Sequence, residues 1–406
     1  MGNPNFSLVH KRIFISMHYL EIGGAESSLI GLLQSIDYTK YDVDLFLHAH
    51  RGEMMQFIPK EVNLLPEIKE YAHIECPMKQ ALVDGCWGVL YGRLKAKWLT
   101  KKYMRKKGVT ESAAGLQYVA SCVSPYLPTL YQYGEYDMAI SFLSPHNYVI
   151  DKVKAKKKIC WIHTDYTSID INVEKELPVW SAYDHIVSIS SDVTNAFLQV
   201  FPSLKNKIIE IENILSPELV RERANEFDVS TEMPKSAKTI NLLSVGRFCE
   251  AKNYDNVPNI CKQIHSSLNV RWYIIGWGGD EAMIRQKIAE AGMEDCVIIL
   301  GKRTNPYPYI KACDIYVQPS RYEGKSVTVR EAQLLFKPVV ITSYPTASSQ
   351  VENGIDGVIV PMDNDGCAEG IGNLINNPER QNAIVYYLKS HDFGNEGEVD
   401  KLYCLI

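Results

Sequence analysis

The amino-acid sequence predicts an α/β protein made of two Rossmann-like units. Three observations carry this. Short apolar runs bounded by turn residues recur along the chain, as buried parallel strands do. Near residue 12 one such run leads to a glycine pair and then a helical pattern, and the same strand, glycine, helix order returns after residue 239. Between the two halves, residues 218–238 are polar and charged, contain Pro234, and read as a linker.

Composition narrows the class. A chain of 406 residues is long enough for two or three domains, and 46% hydrophobic with 22% charged residues is ordinary for a soluble globular protein. The net charge of −5 predicts no general attraction to nucleic acid, so any anion-binding surface must be local. The 10 cysteines are scattered without Cys-x-x-Cys or zinc-like Cys/His spacing, as expected of reduced thiols. Residues Met1 to Phe14 lack the apolar core of a signal peptide, no run of about 18 apolar residues occurs, and Phe6 stands where a myristoylation motif needs Ser or Thr. The expected location is cytoplasmic, with at most a peripheral membrane contact.

In chain order, Arg12 to Met17 is the first strand, and Gly23-Gly24-Ala25-Glu26 leads into a helix bearing Leu29, Leu32, Leu33 and Ile36. The fingerprint G-x-G-x-x-G is absent here, which argues against a nicotinamide or flavin dehydrogenase. Strands follow at Tyr41–Leu47 and Glu61–Leu65. Between residues 87 and 107, Trp87, Leu90, Tyr91, Leu94 and Trp98 recur at helical spacing among many Lys and Arg, a pattern that suits either an anionic membrane surface or an insertion packed on the domain with a solvated basic face. Further strands are Tyr136–Phe142, Lys158–His163, Tyr183–Ile189 and Lys207–Ile211. The lysine-rich segment 152–158 reads as a solvated helix face, and His163 lies at the carboxyl end of its strand, where an active-site histidine would sit. The first domain is placed at 1–217.

The second domain, 239–385, opens with the strand Thr239–Val245 and the turn Gly246-Arg247-Phe-Cys-Glu-Ala-Lys252-Asn253, which carries two cations. Val270–Ile275 before Gly276-Trp-Gly-Gly279, and Cys296–Gly301 before Lys302-Arg303-Thr304, are the next strands. Ala312 to Pro319 forms a strand, Ser326 can cap the following helix, and Pro338 to Thr342 forms another strand. Glu323 thus sits in a loop at a strand's carboxyl end, and Glu331 sits inside the helix. Free N–H groups over Gly324-Lys325-Ser326-Val327 would hold a phosphate or diphosphate, while carboxylates suit sugar and ribose hydroxyls. Together they suggest a nucleotide-sugar. The tail, 386–406, is expected to cross back to the first domain.

These residues resemble the glycosyltransferases of family 4, whose hallmark is two glutamates in a context close to EGFG…EAMACGKPVV. Here Glu323, Gly324, Glu331, Ala332 and Lys337-Pro-Val-Val340 fall at the family's positions, whereas Ser326, Phe336 and Asn253 stand where many members have glycine. The resemblance implies the GT-B fold, two Rossmann-like domains with parallel sheets facing a central cleft. It also implies a retaining, metal-independent transfer of a hexose or related sugar, UDP being the most frequent carrier. The acceptor would be a saccharide or lipid-linked oligosaccharide in bacterial surface polysaccharide synthesis. Within that resemblance, Gly246, Arg247 and Lys252 hold the diphosphate, and Arg303 lies where the family binds the base. Glu323 faces the transferred sugar and Glu331 the ribose. His163 lines the sugar pocket, and Gly23 and Gly24 lie near acceptor and phosphates. No cofactor or metal is expected. A nucleotide-sugar epimerase on the same fold, or a catalytically silent partner subunit, are the competing readings.

Overall fold

The computed structural model describes residues 10–406 apart from positions 22, 111, 165, 168, 237, 324 and 325. The chain divides into two compact units, Met1–Ile214 with Asn395–Ile406, and Leu215–Gly394. The first unit holds strands β1 (Lys11–Met17), β2 (Tyr41–Leu47), β3 (Asn63–Leu64), β4 (Glu135–Ser141), β5 (Lys154–Ile162), β6 (His185–Ser188) and β7 (Ile208–Glu210). They form one sheet in the order β3-β2-β1-β4-β5-β6-β7, and every recorded pairing is parallel. The order reverses between β1 and β4, which makes that edge the topological switch point where open α/β sheets take their ligands.

The second unit repeats the plan with β8 (Ile240–Val245), β9 (Val270–Ile275), β10 (Val297–Gly301), β11 (Ile315–Gln318), β12 (Val339–Thr342) and β13 (Val358–Val360), ordered β10-β9-β8-β11-β12-β13. Its switch point lies between β8 and β11. Side chains alternate across the sheet: Leu242 packs in one core with Ile274, Val317 and Val340, and its neighbour Leu243 packs in the other with Tyr273, Tyr316 and Ile341. Strands buried on both faces must be apolar throughout, and that is why they were visible as continuous runs.

Three segments depart from the sequence reading. Residues 218–238 do not form a linker, because Pro217–Arg223 is a helix and Val220, Ala224, Val229 and Met233 are buried in the second unit's core. The apolar residues are spaced among charges, so the stretch reads as polar while one side of it packs. Lys154, Lys156, Lys157 and Lys158 belong to strand β5 rather than a helix; Lys156 ion-pairs with Asp137 at 2.7 Å and Lys158 donates to the Ile150 carbonyl at 2.8 Å.

The tail also differs in extent. Pro378–Ser390 is one helix whose Ile384 and Leu388 lie in the second unit's core, so this unit runs well past 385. Only from Asn395 does the chain belong to the first unit. There the Tyr403 ring stacks on Tyr41 at 4.4 Å, its hydroxyl accepts from the Asp37 N–H at 2.8 Å, and a Glu398 oxygen accepts from the Glu212 N–H at 2.9 Å.

Candidate functional site

In the second unit the site is built at the carboxyl ends of β8 and β11. The turn after β8 brings Lys252 beside Glu323: Nζ lies 2.5 Å from Oε1. The same oxygen accepts from Ser320 Oγ at 2.6 Å and Gln318 Nε2 at 2.9 Å, so three donors converge on it. Oε2 has no partner among the described residues. Glu323 is therefore held in place through one oxygen, which leaves the other to a ligand.

Gly246 makes this approach possible, since a Cβ there would stand 2.8 Å from the Tyr254 hydroxyl and 3.2 Å from Lys252 Cε. Asn253, which ends the turn, has φ of 60°, the left-handed conformation in which asparagine is the usual substitute for glycine. It is held there by its own donation to the Pro319 carbonyl at 2.9 Å and a bond from Asn256 at 2.6 Å. Arg247 is exposed and forms no ion pair among the described residues. It is a second cation on the same turn.

The helix Val327–Leu334 begins beside Glu323. Ser326 occupies its N-cap position but does not cap with its side chain; Oγ lies 3.0 Å from Thr328 Oγ1 instead. The expected cap is thus corrected, and the hydroxyl does not compete for the N–H groups of the first turn, which begins at Val327. Ser326 is anchored from the other side, its N–H donating to Gln350 Oε1 at 3.0 Å. Gly324 and Lys325 lie outside the described residues.

Glu331, one turn further on, is buried and accepts from the Tyr307 hydroxyl at 2.8 Å. Burial raises its pKa to about 6, opposed by the Tyr307 bond and by the charge of Arg223. Arg303 stands apart from this group: it ion-pairs with Glu232, and its guanidinium lies 5.7 Å from the Tyr309 ring centroid. No contact among the described residues joins it to Glu323 or Glu331.

His163, Gly23 and Gly24 lie in the first unit. His163 follows β5, its ring 4.8 Å from that of Phe142. Burial lowers its pKa to about 4 against the pull of a bond to the Phe142 backbone, so the ring is neutral near pH 7. Its Nε2 is enclosed and has no hydrogen-bond partner among the described residues. Gly23 precedes the helix Gly24–Ser35 in extended backbone, and a Cβ on it would lie 2.2 Å from Glu26 Oε2. Gly24 has open space around it.

Sequence reasoning missed several partners. Gln318, Ser320 and Tyr307, which hold the two glutamates, are polar residues at or near the ends of apolar segments, and that interruption was the available signal. It also missed three histidines at the carboxyl ends of the first sheet. His18 Nδ1 lies 3.0 Å from Glu75 Oε1, and its ring stacks on His48 at 5.0 Å. His146 is buried, lies 2.8 Å from Ser141 Oγ through Nδ1, and has its pKa pushed to about 3 by burial and by His163 and His18. Nε2 of His18 and of His146, like that of His163, is buried without a partner among the described residues. These three nitrogens follow β1, β4 and β5, around the switch point. Among the described residues no group of three or more His, Cys, Asp or Glu could hold a metal ion, and no helix is long and apolar enough to cross a membrane.

Residues 228–391 match the family model described as glycosyl transferases group 1. Among curated relatives, the lipopolysaccharide core biosynthesis mannosyltransferase LpsB of Rhizobium meliloti is 33% identical over 85 residues, 20% of this chain and 24% of that protein. The amylovoran biosynthesis glycosyltransferase AmsD of Erwinia amylovora is 23% identical over 241 residues, 59% of this chain and 66% of its own. The chain thus spans from about a quarter to just under two thirds of these relatives' lengths.

Solved structures align over nearly the whole chain. Anabaena HepE in complex with UDP-glucose covers 98% of it and 100% of its own chain, at 15% identity and a TM-score of 0.63. S. aureus TarM in complex with UDP covers 97% of it and 99% of its own chain, at 14% identity and a TM-score of 0.64. The fold is GT-B, as the glutamate motif implied.

Proposed function

We propose that this chain, whose residues 228–391 match the glycosyl transferases group 1 model, is a retaining, metal-independent glycosyltransferase. It moves a hexose or related sugar from a nucleotide-sugar, UDP being the carrier, to a saccharide or lipid-linked acceptor in bacterial surface polysaccharide assembly. The observation that carries the reading is the Lys252–Glu323 pair, held at a helix start with one carboxylate oxygen unpartnered among the described residues. The names of the relatives, which build lipopolysaccharide core and amylovoran, and the UDP and UDP-glucose held by the two solved structures, support the substrate class.

In this mechanism Glu323 Oε2 accepts from a hydroxyl of the transferred sugar, and Glu331 accepts from the ribose. The bond from the sugar's anomeric carbon to the diphosphate oxygen breaks, and negative charge builds on the nucleoside diphosphate. Arg247, Lys252 and the N–H groups of the helix beginning at Val327 face that charge, and preorganised donors of this kind stabilise a leaving group without reorganisation. The acceptor oxygen bonds the anomeric carbon from the same face, and its proton passes to the departing phosphate oxygen. His163, at the carboxyl end of β5 in the first unit, contributes a neutral ring and brings no charge of its own.

The test is thermal stabilisation by UDP-, GDP-, ADP- and CDP-sugars in EDTA, run on the wild type and on Lys252→Ala. Ligand at 100 times Kd adds about 2.7 kcal/mol. Stabilisation of the wild type by one nucleotide class, lost in the variant, is expected. No stabilisation by any of them would overturn the reading.

A further inference from the structure

The helix Trp87–Lys107 presents its large apolar residues to solvent. Trp87 is 63% exposed, Tyr91 57%, Leu94 51% and Trp98 60%. At about 100° per residue these four fall within about 60° of arc, on the side opposite Val89, Gly92 and Ala96, which are buried. The packed side is set by small residues: a Cβ on Gly92 would stand 2.7 Å from the Cys122 carbonyl, so this face docks on the helix Ala114–Val123 by close backbone approach. The aromatics are left over on the outer face.

The stripe extends beyond the helix. Tyr126, 43% exposed, meets Tyr91 edge-on at 6.0 Å. Single exposed apolar side chains are unremarkable, but an aligned set that includes two tryptophans and two tyrosines requires a partner.

Charge identifies that partner. The helix has eight Lys and Arg and no Asp or Glu, within a chain whose net charge is −5. By the same angular count Lys95 and Lys102 border the stripe on one side, Lys97 and Lys101 border it on the other, and Arg105 continues it. Beyond Lys102 and Lys106 opens a groove of about 660 Å³, floored by Tyr103 and Tyr118 and flanked by Lys175. A second copy of this face would meet these cations with its own. An anionic lipid surface accepts them and offers Trp and Tyr the half-wet boundary they favour.

We propose that the Trp87–Lys107 helix is a membrane-docking surface for a bilayer containing anionic lipid. The stripe sits at the boundary between headgroups and acyl chains, and the lysines bind lipid phosphates. The proposal rests on the function above only for the lipid-linked acceptor the docked enzyme would meet. Docking itself is read without substrate.

The experiment is co-sedimentation of the full chain with phosphatidylcholine vesicles, with and without phosphatidylglycerol, at low and high salt. Two variants are compared: Trp87→Ser with Trp98→Ser, and Lys95→Ala with Lys101→Ala and Lys102→Ala. Their unchanged melting and unchanged stabilisation by nucleotide-sugar show that fold and donor site are intact. Binding is expected only to vesicles with phosphatidylglycerol. It should weaken on the order of a hundredfold in the lysine variant, at about 1 kcal/mol per cation, and about tenfold or more in the tryptophan variant. Absence of binding, equal binding to both vesicles, or a stable dimer dissociated by Trp98→Ser would overturn it.

Discussion

The Lys252–Glu323 pair ties stability to substrate binding, and a double-mutant cycle separates the two. The Lys252 side chain is 20% exposed and that of Glu323 11%, so the pair is largely desolvated. Removing one member of a fully buried pair costs about 3–5 kcal/mol, chiefly because the other charge is stranded. Here Ser320 and Gln318 remain on Glu323 Oε1, and some water reaches the site. Lys252→Ala should therefore cost about 2–3 kcal/mol, a melting decrease of about 5–10 °C for a domain of this size. Adding Glu323→Gln removes the stranded charge, and the amide can still accept from Ser320. The double variant should recover about 1–2 kcal/mol of that loss. Thermal unfolding of the four proteins measures this, and nucleotide-sugar should stabilise none of the three variants as it does the wild type. Additive single effects, with coupling below about 0.5 kcal/mol, would refute the reasoning.

Glu331 gives a pH signature. Its folded pKa of about 6 lies above the ordinary 4.5, so in that window the unfolded state ionises while the folded state keeps its proton. Stability contributed by this group is whole below pH 4.5 and is lost as pH rises towards 6, by about 2 kcal/mol. Glu331→Gln should abolish this loss, read as a stability difference from wild type that grows between pH 4.5 and 6 and is flat above. Asn253 tests the turn: Asn253→Gly keeps the left-handed backbone and loses two hydrogen bonds, costing about 1–2 kcal/mol, while Asn253→Ala adds the strain of φ 60° and should cost about 1 kcal/mol more. Equal melting of the two variants would contradict this order.

The parallel strands were legible because burial on both faces forces unbroken apolar runs, and the glutamate pair was legible because its spacing joins a loop at a strand end to the helix after it. Departures from the family pattern were visible but their meaning was not. Asn253 replaces glycine by an asparagine that tolerates the left-handed region, whereas Phe336 holds φ 59° as a phenylalanine, its ring 5.1 Å from the Arg221 guanidinium. Segments were misread where local pattern and tertiary packing diverge. The lysines of β5 look like a helix face until the strand register pairs Lys157 with Met138 and Lys158 with Ala139. The 218–238 stretch carries too few apolar residues for a window of its own, yet Val220, Val229 and Met233 reach a core. In the 87–107 helix the spacing of aromatics was plain, but only the structure shows that glycine and alanine take the packed side. The histidines after β1, β2 and β4 come from separate segments, and only the sheet order gathers them.

The most direct test of the account is release of nucleoside diphosphate from the donor that stabilises the protein, measured in EDTA with and without a lipid-linked or saccharide acceptor. The account predicts release that depends on acceptor, persists under chelation, retains the anomeric configuration in the product and is lost in Lys252→Ala. Release of isomerised free sugar without acceptor, strict dependence on a divalent metal, or no turnover despite tight donor binding would contradict it.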